Sequence, residues 1–495
     1  MALKEPQEEI IDLAGHTVLP GFNDSHMHFL NYALFRDKVD LSKLNSIEEI
    51  ILNSRQYIEL NNIQKGEWIV FRGWNHNHFK EQRLLNKSDL DKISTEHPIF
   101  FPRVCGHIGV ANSEALKLCG ITSQTEIPED SVIDIENNEP TGILRENAMN
   151  MIYNKIPPLS KAIIKVLLKN AFTDALSCGL TTIHSEDMGT AGNLSNLIDA
   201  YKELELEGEL PLRVVLQLNL PNKKAIEEAK ALGLKSRLGT PMLNVGVLKL
   251  YEDGSLGGRT AAMTYTYEDT ASSGVIIYSQ EMLDNLVFKA KEAGFQIAIH
   301  AIGDRAMQLI VNSYEKLQKK YASEELRNII IHCQFTNKGL LDSFKALNII
   351  PNVQPSFVMT DYPIVEKAVG NARALESYNW KTMLDFNLKL CFSSDAPIES
   401  FNPLYGIYAA VTRKALDGKP AQGWHSEQNL SVEEAVKAFT IGSAYMNFEE
   451  NIKGTIEKEK LADFIVLSDN IFTINKDHIK DVKVLQTYVN GKRVY

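Results

Sequence analysis

A chain of 495 residues can bury a large hydrophobic core, and 44% hydrophobic with 23% charged residues is the composition of an ordinary globular protein. Its formal net charge of -11 and its lack of a long basic cluster argue against nucleic acid or an anionic membrane as a partner. We therefore expect a small-molecule substrate, and a homodimer is one assembly that the sequence leaves open.

The beginning of the chain and its cysteines indicate a compartment. The opening stretch MALKEPQEEIIDLAG is acidic and lacks the charged-then-apolar order of a signal peptide, and no stretch is long and apolar enough to cross a bilayer. The cysteines form no CxxC pattern, which favours a reducing compartment; they are Cys105, Cys119, Cys178, Cys333 and Cys391. These features predict a cytoplasmic protein without disulfides.

The predicted elements begin with a strand and turn over 9–20, which lead into the apolar strand Val18-Leu-Pro-Gly-Phe-Asn-Asp-Ser-His26-Met-His28. Between about 30 and 145, a helical pattern alternates with strand-like stretches at 68–74 and 98–104. After a helix at about 159–178, strands alternate regularly with helices. These strands are 179–185, 212–217, 245–251, 296–300, 329–332, 349–354 and 389–395.

The number of strands predicts the architecture. Strands that alternate with helices pair in parallel, and the His26 strand brings the regular series to eight, which closes a (β/α)8 TIM barrel over 21–445. Including 68–74 and 98–104 would give ten, so we interpret 30–145 as an inserted α/β subdomain over the barrel mouth. Residues 1–20 and 446–495 are expected to form a small β-sandwich, with a turn at Asn490-Gly491.

His26 and His28 are the first candidate metal ligands. Side chains two residues apart on a strand point to the same face, so both imidazoles can converge on one ion. Chance proximity of two histidines is the alternative for the pair alone. Later strands end in Lys249, His300, His332 or Asp395, and barrel active sites lie at such ends, so a metal site is the better interpretation. Four imidazoles and a carboxylate suit zinc, with iron, manganese or cobalt as alternatives.

Lys249 lies among apolar residues in a strand that is expected to be buried on both faces. A buried ion pair with a carboxylate is one explanation. The other is a lysine of lowered pKa that reacts with carbon dioxide, so that its carbamate bridges two metals.

The motifs PGFNDSHMH, EDGSLGGRTAAM, IHAIGDRA, IHCQ, SSDAP and KGTIEKEKLADFIVL resemble the metal-dependent amidohydrolase superfamily, in particular the branch with N-substituted formamide deformylases. The resemblance runs from residue 9 to the C-terminus. It implies His26 and His28 on one metal, and His300 and His332 on a second, with carboxylated Lys249 between them. Asp395 is implied as a ligand of the first metal and as general base. Relatives usually begin with several more strands, so the N-terminal half of the sandwich is expected to be short.

Other residues match the branch less closely. His107 lies in a Gly-His context typical of the branch and is a candidate catalytic residue that contacts substrate or stabilises an oxyanion; a packing role is the alternative. His184 ends the second strand and is interpreted as a pocket-wall residue. Arg259, Asp304 and Arg305 match branch motifs, or hold loops together by salt bridges.

These features predict an amidohydrolase that cleaves amide-type C–N bonds of N-acyl or N-formyl amines, with one or two divalent ions per chain. A metal-held hydroxide would attack the carbonyl carbon, and Asp395 would pass the proton to the leaving nitrogen. Two alternatives stay open: a non-hydrolytic metalloenzyme such as an isomerase, and a metal-free binding relative.

Overall fold

The computed structural model describes residues 10, 12–104, 108–127 and 131–495. The chain divides into two compact units. Met1–Tyr32 and Ser160–Tyr495 form the first, which we call the barrel unit, and Ala33–Leu159 forms the second, the inserted unit.

Eight parallel strands form the barrel in the described part of the chain, and they pair in chain order. They are β1 (Phe22–Met27), β2 (Leu180–Glu186), β3 (Arg213–Asn219), β4 (Leu243–Tyr251), β5 (Gln296–Ala301), β6 (Ile329–His332), β7 (Ile350–Val353) and β8 (Cys391–Phe392). A short strand, Leu238–Gly239, pairs antiparallel with β4. The predicted TIM barrel is confirmed.

The barrel strands are apolar because almost every side chain in them is buried. In β4, only Tyr251 at the C-terminal end is partly exposed. Val247, Ala298, Ile331, Ile350 and Cys391 come from five different strands and belong to one buried cluster. This burial on both faces is what parallel strands covered by helices require.

Helices follow the barrel strands, and most begin at a Ser or Asn that caps the first turn. The longer ones are Lys161–Ser177, Leu194–Leu206, Lys223–Ala231, Gln280–Glu292, Asp304–Lys320, Lys338–Ala346, Phe357–Ala374, Trp380–Asp385, Pro403–Thr412 and Val432–Lys437. The shorter helices of this unit are Met188–Ala191 and Ser443–Met446, and Phe29–Phe35 follows β1. In the described ranges, no helix is long and apolar enough to cross a membrane.

The barrel closes between β1 and β8 through side chains and strand ends rather than a regular ladder. Ser25 Oγ donates to the Phe392 carbonyl (2.6 Å), and Asp24 accepts hydrogen bonds from the Ser394 N–H (3.1 Å) and Oγ (2.5 Å). The Asp395 N–H donates to the His26 carbonyl at 2.9 Å. The closure therefore fixes the C-terminal half of β1 against the end of β8 and the residues that follow it.

The inserted unit contains its own mixed five-stranded sheet. Its strands, in spatial order, are Ile69–Val70, Ile99–Pro102, Ile108–Ala111, Glu139–Glu146 and Ser131–Glu136. The strand-like stretches predicted at 68–74 and 98–104 thus lie in this sheet and not in the barrel. The helices of this unit are Ile47–Leu60, Lys87–Asp91, Ser113–Cys119 and Asn150–Tyr153. The unit extends past residue 145 because Met149 and Ile152 pack into its core.

The two chain ends form one antiparallel sheet in the part of the chain that the structure describes. Its strands, in spatial order, are Thr17–Pro20, Phe464–Leu467, Val484–Val489 and Lys492–Arg493. Asn490 and Gly491, both at positive φ (52° and 73°), make the predicted tight turn. Within the described residues, the two chain ends thus contribute one four-stranded sheet where a small, short-ended sandwich was predicted.

A buried ion pair fastens this sheet to the barrel. Arg213, at the start of β3, donates from Nε and Nη2 to Asp463 at 2.6 and 2.9 Å, and both side chains are almost fully buried. Arg213→Met should lower the free energy of unfolding by about 3–5 kcal/mol, because the Asp463 carboxylate stays buried without its cation.

The unfolding midpoint in urea measures this effect. Lys338→Met is the control, since it removes an exposed pair with Asp342 (2.8 Å) and should not shift the midpoint measurably. Equal midpoints for the Arg213 variant and the wild type would contradict the prediction.

Candidate metal centre

Three side chains from the closing strands converge at the C-terminal end of the barrel. The Nε2 atoms of His26 and His28 lie 3.3 and 3.2 Å from Asp395 Oδ1. All three ligand atoms fall within 4.8 Å of one another. Asp395 Oδ1 is buried, yet it makes no hydrogen bond of ordinary geometry to a described residue. A buried carboxylate oxygen needs a cationic or hydrogen-bonding partner, and here two imidazole nitrogens face it.

The other nitrogen of each imidazole is held by an acceptor. His26 Nδ1 lies 2.6 Å from Gln217 Oε1, and Gln217 Nε2 donates to the Ser25 carbonyl, so its Oε1 faces the ring. His28 Nδ1 lies 2.8 Å from the Glu186 carbonyl. Because both acceptors require Nδ1–H, Nε2, which faces Asp395, is the nitrogen of each ring that can offer a lone pair to a metal. This tautomer is the one that a metal-binding histidine uses when its second nitrogen is hydrogen-bonded.

The protonation states of His26, His28 and Asp395 depend on one another. Burial and the positive charge of Lys249 lower the pKa of His26 to about 4. Burial opposes the charge on His28, but the carboxylates of Asp395 and Glu186 outweigh it and raise its pKa to about 10. Burial alone would raise the pKa of Asp395, yet the two imidazoles hold it well below its usual range. Asp395 is therefore ionised, and an incoming cation would displace the proton from His28.

His332 and His300 lie beside this group. The His332 ring centroid is 6.0 Å from that of His26 and 4.4 Å from that of His300. His332 Nδ1 lies 2.7 Å from Gln354 Oε1, which leaves its Nε2 as the lone-pair nitrogen. His300 Nε2 lies 2.9 Å from the Gly254 carbonyl. A carbonyl only accepts, so His300 carries its lone pair on Nδ1.

Lys249 is fully buried beside His26. Its Nζ lies 3.3 Å from His26 Nε2 and 4.7 Å from the centre of the Tyr251 ring. Burial lowers the pKa of Lys249 to about 8, and the charges of Asp395 and Glu186 partly oppose this effect. Neither carboxylate makes a direct ion pair with Nζ, in contrast to the alternative of a simple buried salt bridge.

Two of these residues have an unusual backbone conformation. His332 has φ of +82° and Asp395 has φ of +58°. Residues other than glycine adopt this region at a cost of order 1–3 kcal/mol, and such strain concentrates at functional sites. The hydrogen bond from the Asp395 N–H to the His26 carbonyl holds Asp395 in place. The fold thus supports a strained conformation where two candidate ligands emerge.

The residues present fit a divalent metal. The Nε2 atoms of His26 and His28 and the ionised Asp395 carboxylate meet in one place, where His26 and Asp395 are buried and His28 is partly exposed. Two imidazoles and a carboxylate are a ligand set that zinc prefers, and the oriented Nδ1–H groups are typical of its surroundings. The second pair, His300 and His332, offers two further lone pairs beside Lys249.

Several predicted residues lie elsewhere. His107 and its neighbour Cys105 fall outside the described residues, so the role of His107 stays a prediction. His184 is buried in β2 and its Nε2 has no hydrogen-bond partner among described residues. Arg259 pairs with Asp269 (2.7 Å). Asp304 accepts from the Thr264 N–H, which is the loop-holding role that the sequence left open.

Four residues that orient the candidate ligands were not predicted from the sequence: Gln217, Gln354, Glu186 and Asp253. Gln217, Glu186 and Gln354 lie within two residues of a strand end, like the ligands themselves. Their position near a strand end was the one feature of the sequence that could have identified them. Glutamine or glutamate at such a position does not by itself indicate which histidine it contacts.

Known proteins resemble this chain over nearly its whole length. YtcJ of Bacillus subtilis (strain 168) is 34% identical over 492 residues, covering 99% of this chain and 91% of that protein. N-substituted formamide deformylase of Arthrobacter pascens is 24% identical, with 98% and 90% covered. The crystal structure of an uncharacterized metal-dependent hydrolase from Pyrococcus horikoshii OT3 superposes with a TM-score of 0.80 at 27% identity, covering 95% and 90%.

The family model described as "Amidohydrolase family" matches residues 9–495, almost the entire chain. The barrel, the ligand-type residues at its C-terminal end and this match agree with one another. The protein is a hydrolase that belongs to the amidohydrolase family.

Proposed function

We propose that this protein hydrolyses amide-type C–N bonds of small molecules, with N-acyl or N-formyl amines as the substrate class. The observation that carries the proposal is the buried Asp395 oxygen, which lies against the Nε2 atoms of His26 and His28 and has no hydrogen bond from a described residue. Zinc is the proposed ion at this group. The similarity to N-substituted formamide deformylase supports the substrate class.

The bound ions would supply two effects at neutral pH, a lowered pKa of water and a polarised substrate carbonyl. His26, His28 and Asp395 would hold the first ion. The lone pairs of His300 and His332 would hold the second. The tautomers of His26, His300 and His332 are already set by the acceptors at their other nitrogens. Of the four histidines, His28 is the one that would have to lose a proton to bind.

Asp395 is the proposed proton carrier. Its pKa is well below the usual range because two imidazoles face it, so the carboxylate is ionised and ready to accept at neutral pH. It would take the proton of the attacking water and deliver it to the nitrogen of the leaving amine. Without that protonation, the amine would leave as a poorly stabilised anion.

Lys249 is proposed to carry a carbamate between the two ions. With a pKa of about 8, this amine is uncharged far more often at neutral pH than an ordinary lysine. The neutral nitrogen attacks the carbon of carbon dioxide and loses one proton, and the product is a carbamate with one negative charge. The change converts a buried cation into an anion at the position where two cations are proposed.

The test is a metal-reconstituted hydrolysis assay. Protein stripped with a chelator should be inactive, and zinc should restore release of a free amine and a carboxylic acid from members of an N-formyl and N-acyl amine panel. Protein that binds no metal would contradict the proposal in favour of a binding protein. Metal-dependent conversion of a substrate without release of an amine would contradict it in favour of an isomerase.

A further inference from the structure

The buried carboxylate of Asp253, two residues past the end of β4, joins three parts of the barrel rim. Its Oδ2 accepts from the N–H groups of Ala262 (2.9 Å) and Gly303 (2.8 Å), and its Oδ1 accepts from the N–H of Ile302 (3.0 Å). Ala262 belongs to the loop 254–274, while Ile302 and Gly303 follow β5. One side chain thus ties this loop to the end of the neighbouring strand.

The same carboxylate lies against a candidate metal ligand. Asp253 Oδ1 is 3.3 Å from His300 Nε2, and the next residue, Gly254, places its carbonyl 2.9 Å from the same nitrogen. Both neighbours can only accept a hydrogen bond from His300. They therefore keep the proton on Nε2 and the lone pair on Nδ1.

The loop packs closely against the residues that follow β5 and against itself. A Cβ on Gly303 would lie 2.0 Å from the Ala262 carbonyl oxygen, and one on Gly274 would lie 1.9 Å from that of Ala261. Further along, the Arg305 N–H donates to Ala262 O at 3.1 Å. Any movement of His300 and Asp253 should therefore displace the loop 254–274 as well.

We propose that Asp253 is a positioning residue with two roles. It presents Nδ1 of His300 to the second metal, and it fixes the loop 254–274 to the residues that follow β5. Binding of that ion and seating of the loop are then coupled. The inference rests on the proposed two-metal site, but the ion count and the loop can be measured without any substrate.

The first experiment uses the wild-type chain. Arg259 is the one trypsin site within 254–274, and its side chain is paired with Asp269. Removal of metal by a chelator should speed tryptic cleavage after Arg259, because coupling between an ion and a loop acts in both directions. Equal cleavage rates with and without metal would overturn the inference.

The second experiment compares Asp253→Asn with Asp269→Asn. Asparagine turns a donor towards groups that need an acceptor, so Asp253→Asn should weaken binding of one ion by about 10–100-fold and expose Arg259 to trypsin. Asp269→Asn frees the Arg259 side chain without touching His300, so it should raise cleavage and leave the metal content unchanged. A wild-type metal content in Asp253→Asn would overturn the inference.

A double variant tests whether Asp253 acts through His300. Asp253→Asn combined with His300→Ala should lose no more metal than His300→Ala alone. Additive losses would overturn the inference. Failure of the wild type to hydrolyse any amide would defeat the proposed function, yet it would leave the ion counts and the cleavage rates as valid tests of Asp253.

Discussion

Replacing His26 by alanine should reduce hydrolytic activity by at least about a thousandfold, which corresponds to about 4 kcal/mol of lost transition-state stabilisation. The imidazole is buried, and its Nε2 lies 3.3 Å from both Asp395 Oδ1 and Lys249 Nζ. Its removal takes away one of three ligand atoms of the first proposed ion. Metal content, measured by mass spectrometry of the purified protein, should fall together with activity.

The fold should survive His26→Ala. The variant leaves Gln217 Oε1 without its donor, which lowers the free energy of unfolding by about 1–3 kcal/mol. A loss of this size should leave a large barrel folded. Circular dichroism and a urea titration measure this directly.

His184→Ala is the matched control for His26→Ala. Both histidines are 1% exposed and lie on neighbouring barrel strands, but His184 does not belong to the ligand group and its Nε2 has no partner among described residues. It should keep its metal and stay within a few-fold of wild-type activity. Full activity in the His26 variant, or equal losses in both variants, would contradict the assignment of His26.

The sequence predicted the barrel, which the structure confirms, and a set of candidate ligands whose roles stay predictions, because both follow from local patterns. Eight apolar stretches separated by helical patterns define the strands, and a histidine, lysine or aspartate at the end of such a stretch must emerge at the same rim. His26, His28 and Asp395 were predicted in this way, and the closure of β1 against β8 brings them together.

The hydrogen-bond partners of the ligands were not predictable in the same way. Gln217 contacts His26 across 191 residues of sequence, and Asp253 contacts His300 across 47. Which glutamine faces which imidazole depends on strand order, tilt and side-chain rotamers, and none of these leaves a periodic pattern in the sequence. The tautomers of the histidines, and hence the nitrogens available to a metal, became visible only in the structure.

The extent of the inserted unit was also partly hidden. The sequence pattern placed the end of the insertion at about 145, but Met149 and Ile152 are buried in the core of this unit. Their burial is a tertiary effect, which overrides what the local pattern indicates.

Lys249→Ala should lower the metal content of the protein, and with it the activity, because the proposed carbamate supplies the negative charge that two adjacent ions need. An ammonium at this position would face a divalent cation within a few ångströms, at a repulsive cost of several kcal/mol at low effective dielectric. Wild-type protein loaded with metal in buffer freed of carbon dioxide should show the same defect. Added bicarbonate should correct it in the wild type and not in the variant.

The geometry allows a chemical rescue of Lys249→Ala. Truncation leaves the space of a fully buried side chain beside His26 Nε2, and formate or acetate is small enough to place a carboxylate there. Metal content and activity should therefore rise with the concentration of the acid. Lys249→Met is the matched control, because its side chain fills the same space and leaves no room for the acid. Rescue of both variants, or a Lys249→Ala protein that keeps two ions without added acid, would show that the lysine carries no bridging carbamate. In that case, the role of the buried amine, with its pKa of about 8, would be limited to its electrostatic interaction with Asp395 and Glu186.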